Sequence, residues 1–286
     1  MTRFGVVGTG HWADVCHAAG IAAHPGAELV AAWGRDEDKT RALAGRYGID
    51  AETDLDVLLE KVDAVAFAVP PDVQAELAVQ AARAGCHLLL EKPLALTAEA
   101  AERVVDEAES AGVATVVFFT QRFREPVDTW LRSVSDSDWD GGSGWFLTGS
   151  LAPDSPFSTP WRHEYGGLWD LGPHLLSLLI PALGPVEEAA ALHGRGDLTQ
   201  VVLRHQEGRT SKITVSGTAP QAAERLQVEL WGADGFSAAP LTLVDIQSSY
   251  SRALSALLAS IETGIPQECS ARFGAEVVRV LEAAEA

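Results

Sequence analysis

The run Phe4-Gly5-Val6-Val7-Gly8-Thr9-Gly10-His11-Trp12-Ala13 constrains this chain more than any other stretch. An apolar strand that passes directly into a G-x-G-x-x-A turn is the opening unit of a parallel, helix-covered sheet of the dinucleotide-binding type. Each small residue has a job there. Gly8 allows the tight turn, Gly10 lets the backbone approach a pyrophosphate, and Ala13 keeps the following helix close to the strand. The amides at the start of that helix face the phosphates, where the helix dipole favours negative charge. Gly8, Thr9, Gly10, His11, Trp12 and Ala13 are therefore candidate cofactor contacts.

Downstream, short β-rich runs alternate with amphipathic stretches up to residue 119, as βαβ units require. The pattern predicts strands at Arg3–Val7, Glu28–Trp33, Ala64–Val69, His87–Leu90 and Ala114–Phe119, and helices at Lys39–Tyr47, Val73–Ala84 and Ala98–Ala111. Stop signals stand at Gly48, Gly85 and Gly112. After Phe119 the period changes to two around Trp145–Ser150, Val201–Arg204, Lys212–Ser216 and Arg225–Trp231, which predicts an antiparallel sheet with one buried face. The stretch Asp136-Ser137-Asp138-Trp139-Asp140-Gly141-Gly142 reads as a loop, and Ser249–Thr263 and Phe273–Ala284 as closing helices. The expected division is residues 1–119 and 120–286.

Composition narrows the class. A chain of 286 residues with 47% apolar side chains can fill two cores. Its 40 acidic against 21 basic residues give a formal charge of −19, which repels phosphate backbones and anionic membranes alike. No nucleic-acid or membrane partner is expected. Cys16, Cys86 and Cys269 lack ligand spacing and read as reduced thiols of a cytoplasmic protein. No basic n-region precedes an apolar stretch at the N-terminus and no run of about twenty apolar residues occurs, so neither a signal peptide nor a membrane span is expected. The histidines show no metal spacing, and no metal is predicted.

The tripeptide Glu91-Lys92-Pro93 follows the apolar run Leu88-Leu89-Leu90. In an open parallel sheet, ligands bind beyond the carboxyl ends of the strands. Pro93 stops the strand pairing there and restricts the backbone before it, so the Lys92 amine is placed at the catalytic edge.

The end of the second strand decides between cofactors, because a carboxylate there accepts the ribose 2′-hydroxyl of NAD. In Ala31-Ala32-Trp33-Gly34-Arg35-Asp36, Gly34 takes the place expected for that acid, about 20 residues past the glycine turn. Arg35 is instead suited to pair with a 2′-phosphate. NADP(H) is favoured, with NAD(H) as the alternative in which Asp36 serves as the acid.

A second chemical cluster is Trp161-Arg162-His163-Glu164-Tyr165-Gly166-Gly167-Leu168-Trp169-Asp170-Leu171-Gly172-Pro173-His174. Asp170 and His174 are four apart, so on a helix they share a face and the carboxylate can orient the imidazole. Pro173 is best tolerated near a helix start, which predicts that the pair lies in a first turn. Among the tryptophans, Trp130, Trp145 and Trp231 read as core, and Trp12, Trp161 and Trp169 as cleft-lining.

Taken in order, the Gly8 turn, Pro70-Pro71, Glu91-Lys92-Pro93, Gln121-Arg122-Phe123, Trp161-Arg162 and Gly166-Gly167-x-x-Asp170-x-Gly172-x-His174 resemble the Gfo/Idh/MocA oxidoreductases over nearly the whole chain. The resemblance implies a Rossmann domain with a doubly wound parallel sheet, followed by an α+β domain with a mostly antiparallel open sheet. It also implies NAD(P)-linked hydride transfer at a carbinol carbon of a sugar, cyclitol or related polyol. By position, Lys92, Asp170 and His174 match the family's catalytic residues. Pro70, Glu91 and Lys92 join the cofactor set, and Lys92, Gln121, Trp161, Arg162, Asp170 and His174 form the substrate set. A homo-oligomer formed through the second sheet is the implied assembly. Gln74 departs from a common histidine and Ser177 from a common aspartate, and the chain is shortened around Gly232–Leu243. Alternative uses of the fold are a cofactor-bound sensor, against which the intact Lys92, Asp170 and His174 argue, and an NAD-dependent glycosidase, which the sequence leaves open.

Overall fold

The computed structural model describes residues 1–135, 137–233, 235–242 and 246–286. The chain forms two compact units, the first comprising Met1–Phe118 and a later segment ending at Glu276, the second beginning at Phe119 and including Val277–Ala286. The return to the first unit is not visible in a linear reading that assigns all of 120–286 to one domain. It is enforced by packing: helix α8, Ile246–Thr263, buries Tyr250 against Phe118 with ring centroids 5.2 Å apart.

Six parallel strands make up the first unit's sheet: β1 Thr2–Val7, β2 Ala27–Trp33, β3 Asp50–Glu52, β4 Ala64–Phe67, β5 His87–Glu91 and β6 Thr115–Phe118. Their order is β3-β2-β1-β4-β5-β6. This doubly wound order places a topological switch point between β1 and β4, where ligands bind. Strands β1 and β4 are apolar and buried because helices cover both faces of the sheet. The connecting helices are α1 Ala19–Ala23, preceded by a π-helical turn at Ala13–Ala18, then α2 Glu37–Tyr47, α3 Leu55–Lys61, α4 Pro71–Arg83 and α5 Ala98–Ala111. Strand β3 and helix α3 are short, which is why periodicity over a window passes them by.

In the second unit, a 3₁₀ turn at Thr120–Phe123 and helix α6, Glu125–Val134, lead into a six-stranded sheet. Its strands are β7 Trp139–Leu147, β8 Val186–His193, β9 Thr199–His205, β10 Thr210–Ser216, β11 Arg225–Gly232 and β12 Gly235–Ala238, in the order β12-β11-β7-β10-β9-β8. Strands β7 and β10 are parallel and all other neighbours antiparallel. One face packs on helix α7, Pro160–Leu183, whose residues from Gly167 to Ile180 are buried. Helix α9, Ala271–Glu285, ends the chain.

Three expectations need correction here. The polar, glycine-rich stretch before Gly142 is strand from Trp139 onward, with Asp136 outside the described residues. Its glycines serve close packing: a Cβ on Gly141 would lie 2.5 Å from the Thr210 carbonyl oxygen, and one on Gly142 would lie 2.9 Å from Leu179 and Leu230. Pro173 lies within the helix instead of its first turn. The break occurs upstream at Gly166 (φ 66°, ψ −168°), and burial of the following apolar run holds the helix through the proline. Trp169 is buried and donates its indole N–H to Glu285, while Trp145 and Trp231 stand half-buried on the sheet face turned away from α7. Of the shortened stretch around Gly232–Leu243, Asp234 and Leu243 lie outside the described residues.

Candidate active site

In the first unit, three chain segments end at one edge of the sheet. Val7 pairs with Trp33 on one side and Phe67 on the other, so the Gly8 turn emerges at the switch point. The Gly8 N–H donates to the Trp33 carbonyl at 2.8 Å, and the Ala68 N–H donates to Val7 at 2.8 Å. Gly8 has φ +129°, and a Cβ on it would sit 2.4 Å from the Ala68 oxygen, so only glycine fits. Over Gly10 the opposite holds: nothing lies within 4 Å of where its Cβ would be. The turn is thus closed on the sheet side and open outward at Gly10, the cradle that a pyrophosphate requires. His11 and Trp12 are already helical, Ala13 is fully buried, and the following turn is π-helical, a form frequent at functional sites.

Beyond β5, Lys92 is 9% exposed and its bond to Pro93 is cis. Two sets of contacts hold its neighbours. The Glu91 carboxylate accepts the Trp12 indole N–H at 2.6 Å and stands 2.9 Å from His17 Nε2, while His17 Nδ1 lies 3.0 Å from the Tyr250 hydroxyl. His17 and Tyr250 are fully buried, and burial pushes the Tyr250 phenol well above its ordinary pKa. On the other side, the Gln74 side chain bonds the backbone of Glu91, Pro93 and Leu94. His17, Gln74 and Tyr250 escape a sequence reading because their partners are distant in the chain. Gln74 alone leaves a signal, since a polar residue occupies the buried stripe Pro71, Gln74, Ala75, Ala78 of α4.

The loop after β2 carries the cofactor-choice residues. Gly34 is buried, and a Cβ there would come within 2.5 Å of Thr9 Cγ2. Asp36 caps α2 by accepting the Lys39 backbone N–H at 3.1 Å, a bond that holds its carboxyl below the usual carboxylate range. Arg35 is exposed. Pro70 precedes α4 at the end of β4, with Pro71 at the helix start.

The second unit assembles its own cluster along α7. Asp170 is buried and accepts from Arg162 Nε at 2.9 Å, and the Arg162 guanidinium lies 4.6 Å over the Trp161 ring and 5.8 Å from that of Phe157. This partner of Asp170 is one that the i, i+4 spacing to His174 does not reveal. With 18% and 7% of their side chains exposed, Arg162 and Asp170 form a charge-assisted pair that neutralises both in a poorly hydrated place. His174 is buried with its ring 5.7 Å from Phe146, and Ser177 donates its hydroxyl to the His174 carbonyl.

Helix α7 restarts after Gly166, and Asp197 holds the restart. Its carboxylate accepts from the backbone N–H groups of Gly167, Gly217 and Thr218 and from the Ser216 and Thr218 hydroxyls. Burial pushes the Asp197 pKa upward, but these donors together outweigh it and leave the group below the ordinary value. Gln121 is buried and spends its amide on the Thr242 carbonyl and on Arg124.

Residues 2–119 match the Gfo/Idh/MocA model, an oxidoreductase family with an NAD-binding Rossmann fold. An uncharacterized oxidoreductase of Rhizobium meliloti, ORF334, is 30% identical over 246 residues, covering 81% of this chain and 72% of that protein. Inositol 2-dehydrogenase of Rhizobium meliloti strain 1021 is 24% identical over 319 aligned positions, covering 99% and 95%. Among solved structures, GenD2 from gentamicin A biosynthesis in complex with NAD superposes with a TM-score of 0.86 at 24% identity, over 99% of this chain and 93% of that one.

Proposed function

The chain belongs to the Gfo/Idh/MocA family of NAD(P)-dependent oxidoreductases, and from that premise we propose an NADP(H)-linked dehydrogenase or reductase acting on a carbinol carbon of a sugar, cyclitol or related polyol. The observation that carries the reading is the common edge of the first sheet: the open Gly10 turn after β1 and the buried Lys92 after β5 both lie at the carboxyl ends of parallel strands. Gly8, Thr9, Gly10, His11, Trp12, Ala13, Pro70 and Glu91 line the dinucleotide in this reading. When bound, the nicotinamide supplies the hydride acceptor or donor.

The chain's own residues then handle the proton and the geometry. Lys92 hydrogen-bonds the substrate oxygen, and His174 takes up or returns the hydroxyl proton as general base or acid. Asp170, held by Arg162, supports the imidazole electrostatically and in orientation. Trp161, with Arg162 stacked on it, and Gln121 complete the proposed substrate surroundings. NADP(H) is favoured because Gly34 leaves no acid at the end of β2, Asp36 is engaged as a helix cap, and Arg35 is exposed beside it. Cys16, Cys86 and Cys269 are buried thiols outside any disulfide, which accords with a cytoplasmic location, and among the described residues no helix is long and apolar enough to cross a membrane.

The deciding experiment incubates the protein with NADP⁺ or NAD⁺ and a panel of sugars and cyclitols that includes myo-inositol, and follows reduced-nicotinamide absorbance. Turnover of a polyol or sugar with NADP⁺ is expected. Cofactor binding with no turnover of any panel member in either direction would count for the sensor alternative.

A further inference from the structure

The Lys92 segment leaves the sheet just where the backbone needs outside partners. Strand β5 pairs with β4 only as far as Leu89, and with β6 as far as Glu91. Pro93 brings no N–H of its own, and the Lys92–Leu94 stretch is buried. Buried carbonyls without donors are strongly disfavoured. One side chain answers this need. Gln74, itself fully buried on α4, donates from Nε2 to the carbonyls of Glu91 at 2.8 Å, Leu94 at 3.1 Å and Pro93 at 3.3 Å, and accepts the Glu91 N–H on Oε1 at 2.8 Å.

We propose that Gln74 is the positioning residue for Lys92: its amide fixes the backbone on both sides of the lysine and so holds the amine at the reacting oxygen. The proposal rests on the catalytic reading of Lys92. Only an amide supplies donors and an acceptor from one side-chain end without charge. The Glu91 side chain is pinned separately by Trp12 and His17, which fixes the residue before Lys92 a second time but reaches neither Pro93 nor Leu94. A displacement of about 1 Å at such a group is worth about 100-fold in rate. Among the described residues, the hydrogen bonds of the Gln74 side chain go to the backbone of Glu91, Pro93 and Leu94, so its effect on turnover is expected to run through Lys92.

The test is a double-mutant cycle on the intact protein, using the sugar or cyclitol of the panel that it oxidises fastest. Gln74→Met should lower kcat by about 10- to 100-fold while KM and NADPH affinity change by less than about 3-fold. In a Lys92→Ala background the same change should cost nothing further, because its route of action is gone. Gln74→Glu supplies a pH signature. Ionised, the carboxylate faces the carbonyls of Glu91, Pro93 and Leu94 and cannot donate. Protonated, it regains one donor and one acceptor, so kcat relative to wild type should recover as pH falls.

A readout that needs no substrate runs beside these. Acetic anhydride labelling followed by mass spectrometry should modify Lys92 several-fold faster in Gln74→Met than in the wild type, with the exposed Lys39 as internal reference. Equal labelling ratios, or a Gln74→Met penalty of the same size with and without Lys92, overturn the positioning role. So does a Gln74→Glu profile parallel to wild type, which keeps the question decidable if Gln74→Met does not fold. Wild-type turnover by Lys92→Ala, in contrast, strikes at the catalytic reading of the lysine itself.

Discussion

Asp36 is an acidic residue near the place where an NAD-specific site has one, yet its carboxylate is engaged by the first turn of α2. That leaves Arg35 to meet whatever the ribose carries. Arg35→Ala should weaken NADPH by about 1.5–3 kcal/mol and leave NADH nearly unchanged, in calorimetric titrations of both cofactors. Equal affinities in the wild type would remove the NADP preference. For the chemistry, Lys92→Ala and His174→Ala should each lower kcat by about 10²–10⁴ with cofactor affinity nearly intact, and Asp170→Asn by less. Stopped assays at saturating cofactor read both effects, and wild-type turnover in both alanine variants would reject the assignment. These residues were legible because each stands in a short local pattern. The bonds made by Gln74, His17 and Tyr250 were not, because a hydrogen bond across 17, 74 or 233 positions leaves no local mark, and Gln74 shows in the sequence only as a polar residue in a buried stripe and a departure from a common histidine.

At the scale of elements, α7 shows what spacing can and cannot say. The four-residue step from Asp170 to His174 places both on one helical stretch, as expected. The restart after Gly166 is held by Asp197, thirty residues from Gly167, which also gathers donors from Ser216, Gly217 and Thr218, an arrangement that no periodicity anticipates. Removing that carboxylate strands the N–H groups of Gly167, Gly217 and Thr218. Asp197→Ala should therefore lower stability by about 2–4 kcal/mol in urea unfolding and reduce kcat more than it alters cofactor affinity. The pH dependence has a definite sign. Because the folded-state pKa is depressed, Asp197 stabilises the fold above its unfolded value near 3.8 and loses that contribution as pH falls through the lower folded value. An acid-unfolding midpoint unchanged in the variant would contradict this. Strand β7 makes the converse point: Gly141 and Gly142 look like a loop by propensity, and close approach of Thr210, Leu179 and Leu230 makes them strand.

For the molecule as a whole, the sheet face turned away from α7 carries Trp145, Trp231, Val202, Leu192 and Phe236, the last three 60%, 76% and 80% exposed. Arg225 and Lys212 flank the Trp145 ring at 4.4 and 5.9 Å. A large exposed apolar patch is rare in a monomer, so light scattering at micromolar concentration should give a dimer or tetramer, and Val202→Glu should shift it toward the monomer. A wild-type monomer would reject that assembly. Local sequence was enough to specify the parallel sheet, its glycine turn, the lysine at its edge and the Asp170 and His174 helix, because strand period, turn chemistry and helical spacing are written in neighbouring residues. Only long-range packing settled that Ile246–Thr263 returns to the first unit, that β7 and β10 run parallel, and that Gln74 and Asp197 hold the backbone around Lys92 and after Gly166. Those outcomes depend on which buried polar groups and apolar faces meet across long stretches of chain, and only folding brings them together.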